Sequence, residues 1–244
     1  MLMANQPNMQ SIEELFGLGA HLGHKKSRLH PKAKKNVYKI INGTSIIDLT
    51  KTVEQLEIAK NFLSDAAKEE KVLLVVGTKK VASAFLREYC TENKLPFITS
   101  KWLPGLLTNF ETLMKNVHKL ADLKKQAETD QWASDVKHER TKLSKEMVKL
   151  EKLYGGLLSL TKRPDILVIV DARKEKNAVT EAQAYKIPLV ALIDTNSNPE
   201  KIDYPVLAND DASEVVQHIM KDLLGGYVKN KQIATPKKDV AKAN

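Results

Sequence analysis

Three apolar runs constrain this chain most: Lys71–Val76 (KVLLVV), Asp165–Val170 (DILVIV) and Leu189–Ile193 (LVALI). A strand with one wet face alternates polar and apolar residues. Uninterrupted runs of this length instead describe strands covered on both sides, as in a parallel sheet layered with helices. Helix-like stretches follow each run, near 79–89, 176–185 and 212–224, in βαβ order. Shorter strands are expected at Pro96–Thr99 and at Tyr204–Leu207, where Pro205 suits an edge. The fold class is therefore α/β, a parallel sheet flanked by helices.

The repeat is interrupted. Phe110, Leu113, Val117, Leu120, Leu123 and Ala127, then Leu143, Met147, Leu150, Tyr154 and Leu157, recur at alternating spacings of three and four. That is the stripe of a two-helix coiled coil, predicted as an inserted antiparallel hairpin with its tip at Glu128–His138 and an arm of ~27 Å. The expected organisation is one discontinuous globular domain (1–109 and 157–226), the hairpin (110–156) and a basic flexible tail (227–244). In that tail five lysines face Asp239 alone. Upstream, residues 1–10 read as frayed, and Ser11 caps a short helix ending at Gly17 or Gly19. Asn42-Gly43 marks a β-hairpin, and Thr50 is placed to cap a helix running to about Lys68.

His21–Lys39 (HLGHKKSRLHPKAKKNVYK) holds seven cations, three histidines and no carboxylate. Gly23 and Pro31 exclude one long helix. Such a run repels itself unless an anion lies against it, so it is either a solvated loop or the edge that meets a polyanion. The formal charge of +9 favours the second. No apolar run reaches the ~18 residues of a membrane span. The first residues lack a secretory pattern, and a lone Cys90 fits a reducing compartment. A soluble intracellular protein is expected.

Catalytic signals are thin. Gly77-Thr78-Lys79-Lys80 follows a strand but lacks GxxxxGK[ST] and GxGxxG. Two lysines at a helix start oppose the dipole, which suits an external phosphate there. Asp171 and Asp194 end adjacent strands, where they could serve as acid and base or only cap their loops. Asp210 and Asp211 read as N-caps of the last helix. His24 with Asp194 and either Asp210 or Asp211 would have acceptable ligand types for zinc. Trp102, beside Lys101 and a Pro-Gly turn, either stacks on a base or plugs the foot of the hairpin.

These blocks in order, GAHLGHKKSRLHPKAKKNVY, IINGTSIIDLTKT, VVGTKKVASAF, KWLPGLLTNFETL, LYGGL and RPDILVIVDARKEKNAVTEAQAYKIPLVALIDTNSNPEKIDYPVLANDDA, cover about residues 11–226. They resemble the bacterial-type small-subunit ribosomal protein S2 family. The resemblance implies a flavodoxin-like sheet with a projecting helical hairpin, no enzymatic activity, and no cofactor, resident metal or membrane partner. It implies binding to small-subunit ribosomal RNA, contact with neighbouring ribosomal proteins, and docking of the messenger-binding protein S1. The location implied is the cytoplasmic ribosome, with an organellar ribosome as the other setting.

By position, Gly23, His24, Lys25, Lys26, Arg28, Pro31 and Lys32 match the family's basic motif, Gly77–Lys80 its GTK motif, and Trp102, Leu103, Gly105, Thr108 and Asn109 its tryptophan loop. The expected RNA-binding residues are His24, Lys25, Lys26, Arg28, Lys32, Lys34, Lys35, Lys79, Lys80, Lys101, Trp102 and Asn109. The chain departs from the pattern at Leu29-His30, where the family has Trp-Asn, and at Pro104, where it has Gly. Two other readings stay open: a flavodoxin-like nucleotide-binding enzyme using the Gly77 and Asp194 strand ends, and an adaptor gripping a protein with its arm.

Overall fold

The computed structural model describes residues 9–129 and 136–234. The three apolar runs form β4 (Leu73–Val76), β6 (Ile166–Val170) and β7 (Leu189–Ile193). With β5 (Phe97–Ile98) and β8 (Tyr204–Leu207) they make a parallel sheet in the order β5-β4-β6-β7-β8. Every residue of β4, β6 and β7 is buried, as their composition requires. β8 with Pro205 is an edge strand.

Because side chains alternate along a strand, the sheet feeds two cores. Leu73, Val75, Ile166, Val168, Val170, Val190 and Leu192 point into one, which is closed by α1 (Met9–Gly17), α2 (Leu49–Lys68), α3 (Lys80–Glu92) and α7 (Ser213–Ala234). Leu74, Val76, Leu167, Ile169, Leu189, Ala191 and Ile193 point into the other. That face is closed by the Trp102–Leu107 loop, α4 (Phe110–Glu128), α5 (Lys137–Tyr154) and α6 (Lys176–Ala184). Each fully buried Leu or Ile contributes about 1.5–3 kcal/mol relative to exposure, so the double-sided burial is the main stabilising force.

A second sheet stands at the C-terminal ends of the parallel strands. β1 (Leu22–Lys25), β2 (Val37–Ile41) and β3 (Thr44–Ile47) pair antiparallel in the order β1-β3-β2. Asn42 and Gly43 both take positive φ, 48° and 77°, as a tight hairpin turn demands. β1 is not anticipated by the sequence pattern, because its four residues carry no alternation. Its Gly23 lies against the body: a Cβ there would meet Thr195 Cγ2 at 2.7 Å and the Ser45 carbonyl at 3.0 Å.

Several local expectations need correction. Asp48, not Thr50, caps α2, accepting from Thr50 N at 3.2 Å. Asp210 and Asp211 do not cap the last helix, which begins at Ser213. That helix runs on to Ala234 rather than yielding to a flexible tail at 227. Tyr227 and Val228 are buried, and the Tyr227 hydroxyl donates to the Lys71 carbonyl at 2.6 Å. Apolar residues there continue the core-facing side of α7. Residues 235–244 lie outside the described residues.

α4 and α5 pack on each other, with cross-helix ion pairs Lys119–Glu146 and Lys124–Glu151. Met114, Val117, Leu120 and Tyr154 belong to the same buried cluster as the sheet, so the foot of this pair shares the body's core. Most of the expected tip, 130–135, lies outside the described residues.

Tyr227→Ala should lower stability by about 3 kcal/mol in chemical denaturation. A residue in a flexible tail would leave the midpoint unmoved.

Candidate nucleic-acid interface

The basic segment is held as a shaped rim. After β1, a 3-10 turn over Lys26–Arg28 and another over Pro31–Asn36 carry the chain to β2. Pro31 pre-sets the second turn, and His30 Nδ1 accepts from Lys32 N at 3.2 Å. Ala33 and Asn36 are buried, His30 N donates to the Thr195 carbonyl at 2.9 Å, and His24 N donates to Thr195 Oγ1 at 3.0 Å. With these points fixed, Lys25, Lys26, Arg28, Lys32, Lys34 and Lys35 are all exposed. Lys32 reaches Glu200 at 3.0 Å, both partners half-exposed, a pair worth little in water. Among the described residues, Lys25, Lys26, Arg28, Lys34 and Lys35 form no salt bridge. Tyr38, 76 % exposed on β2, adds an aromatic face beside these cations. Its place in the alternation of a hairpin strand was the available signal for it.

The crevice at the carboxyl ends of the parallel strands is where an α/β sheet ordinarily takes a ligand. Here the chain's own side chains fill it. Lys79, just beyond β4, places its ammonium 2.6 Å from Asp210 Oδ1, 2.7 Å from Asp211 Oδ1 and 3.8 Å from Asp171 Oδ2. Burial pulls Lys79 down, but hydrogen bonds to Asp210 and Asp211 and the charges of Asp210 and Asp171 outweigh it and hold the ammonium above the ordinary lysine value. The hydrogen bond from Lys79 pulls the Asp211 carboxyl below the carboxylate range. Complete burial, then the charge of Asp171, pushes Asp210 up to about 7 against the pull of Lys79. Asp210 Oδ2 is buried with no hydrogen-bond partner.

Beside this cluster, His24 Nδ1 sits 2.6 Å from Asp194 Oδ2 and Nε2 sits 3.0 Å from Asn196 Nδ2. The other oxygen of Asp194 accepts from Thr195 N. Thr78 donates to the buried Glu175, and Lys174 Nζ donates to the Thr78 carbonyl at 3.0 Å.

These contacts revise the expected site. Lys79 is a structural cation, and its place at a helix start is explained by Asp210 and Asp211 rather than by an external phosphate. Gly77 packs closely on α3, where a Cβ would meet the movable end of Leu86, Cδ1, at 2.3 Å. Trp102 is buried, with Nε1 donating to Glu181 Oε1 at 3.0 Å, so its ring does not stack on a base. Glu181, missed in the sequence, organises that loop. Its carboxylate also accepts from Gly105 N at 2.9 Å and Leu107 N at 3.1 Å. Lys80, Lys101 and Asn109 are exposed. His24 is a positioning residue facing the body. His24, Asp194 and Asp211 bring one ligand atom each within 4.8 Å of one another. The set is acceptable to zinc by type, and Asp211 rather than Asp210 completes it.

Comparison with known proteins places the chain among relatives. The family model described as ribosomal protein S2 matches residues 15–229. The small ribosomal subunit protein uS2 of Coprothermobacter proteolyticus is 38% identical over 222 residues, 91% of this chain and 83% of that protein. That of Wolinella succinogenes is 37% identical over 226 residues, 93% and 83% of the two chains. That of Dehalococcoides mccartyi is 38% identical over 218 residues, 89% of each.

Lys79→Met leaves Asp210 and Asp211 without their counter-charge and should cost on the order of 3 kcal/mol of stability. Measured on protein that is still folded, RNA affinity should be unchanged; a phosphate-binding lysine would show the reverse. Asp210 keeps a proton in the folded chain that the unfolded chain releases above its usual pKa of 3.8. Its stabilising contribution is therefore full below that value and lost as pH rises towards 7. Melting temperatures between those limits should fall with pH for this group, and Asp210→Asn should flatten the slope.

Proposed function

The chain belongs to the ribosomal protein S2 family, and on that premise we propose that it binds small-subunit ribosomal RNA through its basic rim. Like its relatives it is a structural component of the small ribosomal subunit and not an enzyme. The observation that carries the RNA reading is the row of exposed cations that form no salt bridge among the described residues, Lys25, Lys26, Arg28, Lys34 and Lys35, on an anchored platform.

Cations of this kind contact phosphates and release counterions, which fixes position on the RNA and reads little sequence. Lys32 joins them when an RNA phosphate replaces Glu200. Lys80, Lys101 and Asn109 extend the exposed polar surface. Neighbouring small-subunit proteins, S1 among them, are the expected protein partners, and the α4–α5 pair is a projecting arm suited to such a contact. No described helix is long and apolar enough to cross a membrane. The ribosome itself is the expected location.

The enzyme reading lacks a free group. Asp194 is engaged by His24 and Thr195, Lys79 by three aspartates, and Gly77 by packing.

Neutralising Lys25, Lys26, Arg28 and Lys32 together should leave the melting temperature in place, because these side chains are exposed. The slope of log affinity for small-subunit RNA against log salt should fall by about 3 to 4. An unchanged slope and affinity would remove the rim from the interface.

A further inference from the structure

Next to the rim lies a cleft of about 550 Å³, within the size range of small-ligand sites. No motif noted in the sequence accounts for it. It is lined by three segments remote in sequence: Ser27–Pro31, one face of α6 with the loop before it, and residues between Asn196 and Ile202. Arg28, Arg173, Lys176 and Lys201 stand on its walls, and its lining holds no Asp or Glu. All four cations are exposed, and none forms a salt bridge among the described residues.

The walls are built. Asp171, in the left-handed region at φ 63°, accepts from Arg173 N and Lys174 N at 3.1 Å each and so fixes the loop after β6. His30 N is tied to the Thr195 carbonyl, and Gln183 Nε2 donates to the Lys201 carbonyl at 3.0 Å. Val179 and Ile202 are buried and, with Leu29, make an apolar wall between the cations.

A planar apolar body carrying negative charge fits this arrangement. We infer that the cleft seats one unpaired nucleotide of the bound RNA, its base against the partly exposed Leu29 over a floor of Val179 and Ile202, and its phosphates at Arg28, Arg173, Lys176 and Lys201. This rests on the RNA-binding reading and adds to it a pocket that distinguishes single strands from duplex. Continuity favours RNA over an acidic protein segment, since Ser27–Pro31 belongs to both rim and cleft. Amides and hydroxyls of Gln183, Thr180 and Asn198 also line it, the groups that meet base edges and ribose.

The test uses the full chain and fluorescence anisotropy with a short labelled single-stranded RNA, its abasic counterpart and its duplex. Wild type should prefer the single strand to the abasic strand and to the duplex by about tenfold, the effect of one stacked base. The variant Arg173→Gln/Lys176→Gln/Lys201→Gln should lose that preference, and its salt slope on single strands should fall by about 2. Neutralising Lys25, Lys26 and Lys32 instead should reduce the slope while leaving the preference. If the cleft variant keeps both slope and preference while the rim variant weakens, the cleft assignment is wrong and the RNA reading stands. If neither variant changes RNA binding, both fall. Competition by free adenosine monophosphate without any effect of the variant on RNA would make the cleft a small-molecule site. Displacement by polyglutamate alone would make it a seat for an acidic protein segment; either result overturns the inference.

Discussion

The bridge from Lys79 to Asp210 and Asp211 is the interaction on which the rest of this structure depends. It ties the turn after β4 to the segment after β8, across the full width of the strands between them. A buried ion pair contributes little net stability compared with apolar packing, yet removing one partner is costly because the other charge is stranded. Its value here is geometric. Asp171, at the end of β6, joins the bridge at 3.8 Å from Lys79, and His24 lies beside it, 3.8 Å from Asp211 and 2.6 Å from Asp194 at the end of β7. The rim is thus held to the sheet by polar contacts to the 194–195 strand end together with the burial of Ala33.

This arrangement also redirects the fold's usual chemistry. In an open parallel sheet the crevice outside the strand ends is the natural ligand site. Lys79, Glu175, Asp171, Asp194, Asp210 and Asp211 occupy much of that crevice and engage one another or their neighbours. They provide a stiff base on which the antiparallel sheet can stand. The backbone that displays the cations is fixed by that base, while their exposed side chains stay free to move.

How much of this was legible depended on whether the signal was local. The parallel strands were, because continuous burial leaves an unmistakable run of Leu, Val and Ile. Pro205 marked the edge, and Asn42-Gly43 marked the hairpin, since each imposes a backbone geometry by itself. The first stripe matched α4, but the second began six residues after the start of α5 and ran past its end to Leu157, and neither showed that Met114 and Leu120 belong to the body's core. Family resemblance supplied the family itself, which the comparisons bear out. What failed was non-local. Lys79 looked free because its partners lie 131 and 132 residues further along the sequence. Trp102 looked available because Glu181, which holds it, lies on another helix. Tyr227 looked like the start of a tail because lysines outnumber the few apolar residues that bury it. The Arg173–Lys176–Lys201 cleft was invisible because three separate loops build it.

The most direct test of the whole account is sedimentation of the purified chain with small ribosomal subunits that lack it. The chain should travel with the subunit, and raising salt should release it steeply, as phosphate contacts require. A chain that stays at the top of the gradient at low salt would contradict the account. So would one that binds subunits with no dependence on salt.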